Sequence, residues 1–180
     1  MVHNPKLSQS VVSWCLESAL GLIFSAVESV GDKLDQKKAR KYIRDNNKDS
    51  SVSNQQVSQM FYSLKKRKYL EILENNTLKL TNKAKIKIID QISIKCENDH
   101  KYRLISFDVP EIMRTNRDNF RRAIKRMGFK QVQKSLWVID RNVGALVDIV
   151  AKEYGVSDYI AYFVADRSNI DKYMQKVLES

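Results

Sequence analysis

The chain has 180 residues, of which 43% are hydrophobic and 29% charged, and it carries a formal net charge of +11 at pH 7. This hydrophobic content excludes wholesale disorder, and the length suits one ordinary domain or two small ones. The excess of lysine and arginine favours an anionic partner, first nucleic acid and second a membrane surface. Residues 1–95 carry 17 basic against 9 acidic side chains, and residues 96–180 carry 15 against 12. We therefore expect the N-terminal half to bind the polyanion.

Two cysteines, Cys15 and Cys96, stand far apart and outside any Cys-x-x-Cys pattern, and the only histidines are His3 and His100. This set argues against a zinc site and favours reduced thiols in a cytoplasmic protein. The first residues contain no compact apolar run followed by a cleavage site, so we expect no signal peptide.

The first predicted helix covers Val11 to Val30 and is capped by Ser8 or Ser10. It is apolar enough to suggest a membrane span, but Glu17 and Glu28 would be costly near the centre of a bilayer. We interpret it as a buried or dimer-facing helix and expect no membrane partner. Gly31-Asp32 then breaks the helix.

A second, short basic helix is predicted from Leu34 to Arg44, and residues 45–51 form a polar loop without an apolar period. The third predicted helix, capped by Ser53 or Asn54 and ending near Lys68, has one apolar and one polar face. Its apolar residues recur at i, i+3, i+4 and i+7 and are Val57, Met60, Phe61 and Leu64.

The polar face of the third helix is rich in amide and hydroxyl groups, which hydrogen-bond base edges, and it ends in cations that suit phosphates. The predicted DNA-binding residues, on this helix and just after it, are Gln55, Gln56, Gln59, Tyr62, Lys65, Lys66, Arg67, Lys79 and Lys83. Taken alone, this face also fits an ordinary solvated helix surface.

The segment after the third helix favours the DNA-binding interpretation. Two short strands are predicted at 69–73 and 77–80, around the turn Glu74-Asn75-Asn76. A basic helix followed by a small hairpin is the order of a winged helix-turn-helix. The ending Leu78-Lys79-Leu80-Thr81 resembles the close of the wing in many bacterial winged-helix regulators.

A domain boundary is predicted at the polar stretch from Lys95 to His100. Before it, Thr81 caps a helix that we expect to reach about Ile92. Residues 1–95 are thus assigned to a winged-helix DNA-binding domain, and residues 96–180 to a ferredoxin-like dimerisation domain with a C-terminal helix.

The second domain alternates short strands with helices. The predicted strands are 103–107, 129–133, 135–139 and 159–164, and the predicted helices are 114–127, 143–154 and 170–178. The order β-α-β-β-α-β is ferredoxin-like, so the fold class of the whole chain is α+β. Phe129 and Trp137 could stack on bases, but their strand positions favour packing in a core or a dimer.

The 114–127 helix also carries a basic face, for which phosphate contact and simple solvation are equally good interpretations. Its members are Arg114, Arg117, Arg121, Arg122, Lys125 and Arg126.

Three motifs of the second domain resemble those of known families. They are Ile105-Ser106-Phe107-Asp108-Val109-Pro110-Glu111, the pair Arg114 and Arg117, and Met127-Gly128-Phe129-Lys130-Gln131-Val132-Gln133-Lys134-Ser135-Leu136-Trp137-Val138. The pattern resembles Cas-two, the small dimeric nuclease of CRISPR adaptation. It is more similar to the central domain of PaaX-type transcriptional repressors, in which this fold follows a winged helix. Full PaaX repressors continue into a further C-terminal domain, which we expect to be lacking here.

Asp108 is the candidate metal-binding and catalytic residue that this resemblance implies. In the nuclease family, the aspartate at this place meets its dimer mate, and the pair holds a divalent cation such as Mg²⁺ at the dimer axis. The structural interpretation is that Asp108 makes a turn before Val109-Pro110 and accepts backbone N–H bonds. One carboxylate per chain is little for catalysis, so we predict neither a catalytic residue nor a cofactor.

Together, these patterns predict a homodimeric regulator of transcription that binds double-stranded DNA at specific sequences. We expect it to act as a repressor. The alternative is a Cas-two-like metal-dependent nuclease or a CRISPR adaptation scaffold, in which Asp108 would be essential. The sequence leaves the question of enzymatic activity open.

Overall fold

The computed structural model describes residues 9–30, 34–46 and 53–179, without the side chains of residues 9–15, 29 and 30. The chain divides into two compact units, Met1–Ile88 and Ile89–Ser180. The boundary predicted from sequence lies after residue 95, beyond a short helix that belongs to the second unit. The predicted break at Gly31-Asp32 and residues 47–51 of the predicted polar loop lie outside the described residues.

Three helices build the core of the first unit, namely α1 (Gln9–Val30), α2 (Gln36–Asn46) and α3 (Asn54–Lys66). Helix α1 contacts both α2 and α3. Their buried side chains include Leu20, Ile23, Ala39, Ile43, Val57, Phe61 and Leu64. The apolar stripe predicted for α3 is confirmed, with Met60 half-buried. Within the described ranges, no helix combines the length and the apolar character needed to cross a membrane.

Helix α2 begins later than predicted because Asp35 caps it, and it ends two residues later than predicted. The Asp35 carboxylate accepts the backbone N–H of Lys38 at 2.8 Å and so stabilises the first turn. Asp35 also forms an isolated antiparallel bridge with Thr77, and the Leu34 carbonyl accepts the N–H of Leu78 at 2.8 Å. The two residues before α2 therefore pair with the hairpin that follows α3.

That hairpin consists of β1 (Leu70–Ile72) and β2 (Leu78–Leu80), which pair antiparallel. The turn predicted at Glu74-Asn75-Asn76 is confirmed: Asn76 has a φ of 60°, and asparagine tolerates this left-handed conformation better than most residues. The first unit thus presents three helices and a small hairpin, in the predicted order.

The prediction of one continuous helix from Thr81 to about Ile92 is wrong. Thr81 does cap a helix, but α4 (Asn82–Lys87) ends at Ile88, and α5 (Ile89–Ile94) begins directly after it. Ile88 leaves helical geometry with φ −113° and ψ 28°. Ile88 and its neighbour are both fully buried and β-branched, and this branching lowers helix propensity. The division between the two units falls at this break.

The second unit has the predicted order β-α-β-β-α-β. Its elements are β3 (Tyr102–Phe107), α6 (Arg114–Met127), β4 (Lys130–Gln133), β5 (Leu136–Ile139), α7 (Gly144–Glu153) and β6 (Ile160–Ala165), followed by α8 (Asp171–Glu179). The strands form one antiparallel sheet in the order β4-β5-β3-β6. Strand β6 therefore lies at an edge of the sheet.

Both faces of this sheet carry apolar side chains. On one face, the ring of Phe107 in β3 meets that of Phe120 in α6 at 5.4 Å, edge to face. On the other, Val132 and Val138 pack with Met174 of α8. Helix α6 ends at Gly128, whose φ of 102° suits a residue without a Cβ. Packing, rather than base stacking, is confirmed for Phe129 and Trp137, since both are buried.

Candidate nucleic-acid interface

The polar face predicted on α3 is exposed in the structure. The buried residues Val57, Phe61 and Leu64 fix the rotation of the helix. Gln55, Gln59 and Tyr62 consequently lie on the opposite side, and 67% of the Tyr62 surface is accessible. These three side chains offer two amides and a phenol, which can donate to and accept from base edges. We call Gln55, Gln59, Tyr62 and Lys66 the reading face of α3.

Gln56, which the sequence predicted as a DNA contact, takes part in the N-terminal cap of α3. The Ser53 backbone N–H donates to Oε1 of Gln56 at 2.7 Å, and the Gln56 backbone N–H donates to Oγ of Ser53 at 3.2 Å. This reciprocal pair is a capping box, which satisfies two backbone donors at the start of the helix. The Ser-x-x-Gln spacing carried this signal in the sequence, where our interpretation missed it.

The remaining predicted cations are exposed but do not all share one environment. Lys65, Lys66 and Arg67 lie together at the C-terminal end of α3. Lys79 lies on β2 directly opposite Glu71, an acidic neighbour that offsets part of its charge. Lys83 holds its Nζ 5.4 Å from the ring centre of Tyr69.

A basic cleft between α2 and α3 was not predicted. It has a volume of about 280 Å³ and is lined by Lys37, Arg40, Lys41, Arg44, Asn54, Val57 and Ser58. Two of its arginines are positioned by neighbours: the Arg40 guanidinium lies 5.3 Å from the ring centre of Phe61, and Arg44 Nη1 donates to Asn54 Oδ1 at 3.4 Å. The cations at 37, 40, 41 and 44 have the i, i+3, i+4, i+7 spacing of one helix stripe. That spacing was the available sequence signal.

Asp108, the candidate metal ligand, is exposed at the end of β3. Its backbone N–H donates to the Tyr159 carbonyl at 3.1 Å. The expected acceptance of backbone N–H bonds by its carboxylate is wrong, since none forms within the described part of the chain. The Glu111 carboxylate forms an ion pair with Arg117, whose Nη1 lies 2.8 Å from Glu111 Oε2. The described residues of one chain contain no cluster of three or more candidate metal ligands.

The basic face of α6 is held by partners inside its own unit. Arg117 pairs with Glu111, Arg126 pairs with Asp90 at 2.8 Å, and Arg122 donates to Asn119 Oδ1 at 2.9 Å. The two members that lie over rings are Arg121, 5.9 Å from the centre of Phe107, and Lys125, 5.6 Å from that of Trp137. These contacts favour a solvated, internally compensated surface over a phosphate-binding one.

Sequence reasoning also missed an ion pair between a buried arginine and a partly exposed aspartate in the second unit. Arg103, only 3% exposed on β3, donates to both carboxylate oxygens of Asp99 at 2.8 and 2.6 Å. This bidentate hydrogen bond holds the pKa of Asp99 at about 2, and the carboxylate in turn raises the pKa of Arg103. Burial raises the pKa of Tyr162 on the neighbouring strand. An alternation of apolar residues did not predict a charge at the Arg103 position.

Comparison with known proteins finds a family match in the second unit. Residues 95–177 match the family described as the PaaX protein central Cas2-like domain. No curated protein matches the chain, and no solved structure matches it. The matched segment contains β3 to β6 and nearly all of α8, and therefore the motifs on which the resemblance was based.

Proposed function

We propose that the chain is a PaaX-type transcriptional regulator that binds double-stranded DNA, because residues 95–177 match the family of PaaX central domains. The observation that carries the proposal is the reading face of α3. It exposes two glutamines and a tyrosine in the unit that precedes the matched domain. Glutamine side chains on an exposed helix are suited to adenine in the major groove, and the lysine at the end of this face suits a phosphate.

In this proposal the first unit is a winged helix-turn-helix. Three features support the assignment: the succession of α1, α2, α3 and hairpin, the bridge between Asp35 and Thr77, and the exposure of α3. Helix α3 is then the reading helix, α2 the helix that precedes it, and residues 73–77 the wing. The charge distribution agrees, since residues 1–95 contribute +8 of the net +11.

We further propose that the regulator is a homodimer that represses transcription, and that the second unit joins the two copies. Strand β6 supports this part of the proposal, because it lies at the sheet edge and exposes Phe163 and Val164 at 51% and 55%. An apolar edge strand of this kind is a liability in a monomer and is commonly covered by a partner. Two joined winged helices would contact half-sites one helical turn, ~34 Å, or a multiple of it apart.

Selection of bound duplexes from a random DNA pool, with Mg²⁺ present, tests the function. We expect enrichment of a two-fold symmetric site and recovery of the DNA intact. Retention of all sequences alike would contradict sequence-specific regulation. Mg²⁺-dependent cleavage of the pool would instead favour the nuclease alternative.

A further inference from the structure

We propose that the basic cleft between α2 and α3 is a second DNA-contacting site, which binds backbone phosphate of the duplex whose bases α3 contacts. The ligand is phosphate diester in duplex DNA, and the binding groups are the α2 stripe, defined as Lys37, Arg40, Lys41 and Arg44. This inference rests on the proposed function, but it assigns a task to a helix outside the predicted DNA-binding residues.

The rotation of α2 is fixed by its two buried residues, Ala39 and Ile43. At about 100° per residue, the four members of the α2 stripe cover roughly 100° of the helix surface, with Arg40 nearest the buried side chains and Lys41 opposite them, and all four line the cleft against α3. Lys38 falls outside the stripe and does not line the cleft. The four cations of the α2 stripe therefore line the cleft as a group, whereas the neighbouring Lys38 does not.

Within the described ranges, the α2 stripe has fewer acidic partners than the basic face of α6. Among the described residues that line the cleft, none is acidic, and Lys37 and Lys41 form no ion pair within the described ranges. Among the described residues, the acidic partner of the stripe is Asp45, which pairs with Arg44 at 3.4 Å and also stands at i+4 from Lys41. Like charges at i, i+4, such as Lys37 with Lys41 and Arg40 with Arg44, destabilise a helix, so an anionic partner would stabilise this stripe.

On the basic helix α6, by contrast, acidic side chains of the same unit pair with several of the arginines. There, Arg114 and Arg117 share Glu111, and Arg126 has Asp90. Both helices are basic and exposed, but only α2 presents its cations to a cleft whose other wall is α3, the helix with the reading face.

The cleft also lies directly beside the reading face of α3. Asn54 and Ser58 belong to both the cleft and α3, one residue before Gln55 and Gln59 respectively. A duplex whose groove holds the reading face would bring its flanking backbone over this side. The hairpin turn cannot supply the same charge, since residues 73–77 contain Glu74 and no lysine or arginine.

The test compares Lys41→Ala with Lys38→Ala, because both remove one charge from the same exposed helix. Binding of full-length protein to a fluorescent random-sequence duplex is measured by anisotropy over a series of salt concentrations. One lost phosphate contact lowers the salt slope by about 0.9, equivalent to about a fivefold loss of affinity near ~0.15 M salt. We expect this loss for Lys41→Ala, a change of less than about twofold for Lys38→Ala, and a wild-type slope for Lys41→Arg.

Every outcome bears on the inference. Equal losses in Lys41→Ala and Lys38→Ala would mean that only net charge matters, and an unchanged slope in Lys41→Ala would remove the site; either result overturns the inference but leaves DNA binding standing. Failure of the wild type to bind any duplex would overturn the proposed function as well. Thermal unfolding of each variant checks that the fold is retained.

Discussion

Gln56 and Gln59 are the same residue type on one helix, yet their amides have different surroundings. The Gln56 Oε1 is used by the backbone N–H of Ser53, whereas the Gln59 side chain is exposed on the opposite side from Phe61. A side chain that already completes a helix start is poorly placed to contact a base as well. Gln59 is therefore the better candidate for sequence readout.

Replacement of Gln59 by alanine is expected to relax base preference at the position it contacts. A bidentate amide–adenine contact discriminates by about 1–3 kcal/mol, so the selected motif should lose information there. Lys66→Ala is the matched comparison: it should weaken binding to all sequences alike and lower the salt slope by about one unit. An unchanged motif in Gln59→Ala would mean that another surface reads the bases.

The Asp108 carboxylate has no partner within the described part of the chain, unlike the carboxylates of Glu111 and Asp99. Glu111 neutralises Arg117, and Asp99 neutralises Arg103, but Asp108 is exposed and available. A metal site normally needs several hard oxygen ligands and a way to activate water. The described residues of one chain form no cluster of three or more candidate ligands, so a fuller carboxylate set would require a second copy.

We accordingly expect Asp108→Asn to leave operator affinity unchanged and to abolish no nuclease activity. DNA and RNA are incubated with wild type and variant in Mg²⁺ and, separately, in Mn²⁺, and the products are resolved on denaturing gels. Cleavage by the wild type that disappears in the variant would contradict this prediction. It would establish the nuclease alternative.

At the scale of elements, the orientation of α3 depends on how the helix begins. Ser53 and Gln56 close the capping box, and Val57 and Phe61 then follow on the buried side. The cap fixes the first turn, and the apolar stripe fixes the rotation. Both determine where the reading face points, so the start of α3 contributes to recognition without touching DNA.

The Ser53→Ala variant should lower the free energy of unfolding by about 1 kcal/mol, the usual cost of losing a serine N-cap. Ser58→Ala makes the same chemical change on the same helix without removing a cap, and we expect it to be neutral or to stabilise by a few tenths of a kcal/mol, since alanine has the higher helix propensity. Chemical denaturation monitored by circular dichroism measures both. Equal stability of the two variants would show that the capping box contributes little.

At the scale of the whole molecule, the two units have separate cores and different free surfaces. Leu20 and Ile23 of α1 are fully buried in the first unit, so these apolar side chains are not free to form a dimer contact. In the second unit, β6 keeps an apolar edge, with Phe163 half exposed. The surface best suited to pairing of two copies therefore lies in residues 89–180.

A fragment of residues 89–180 should sediment as a dimer, and residues 1–88 should be largely monomeric. The fragment must start at Ile89 and not near Asp99, because Ser93 of α5 is buried and donates to the Met127 carbonyl. Full-length Phe163→Lys should shift towards monomer, since it places a charge on the apolar edge. A monomeric 89–180 fragment beside a dimeric 1–88 fragment would reverse the assignment.

The sequence by itself determined the features that depend on residues close together in the chain. Apolar spacing predicted α3 and α6, Gly128 predicted the end of α6, and Asn75-Asn76 predicted the hairpin turn, because backbone preference and helical periodicity act over a few residues. The β-α-β-β-α-β order followed from these local signals. The capping box was equally local and could have been found by the same reasoning.

Only the tertiary structure decided which charges are paired and where the last helix of the first unit ends. Arg126 meets Asp90, 36 positions away in the chain, so its compensation has no local signature. The cations of the α2 stripe, in contrast, have few acidic partners. This depends on α3 approaching one side of α2 and on the absence of acidic residues among the described lining of the cleft. The break at Ile88 likewise follows from the burial of two adjacent isoleucines. Burial and long-range ion pairing are properties of the packed chain, and local periodicity does not contain them.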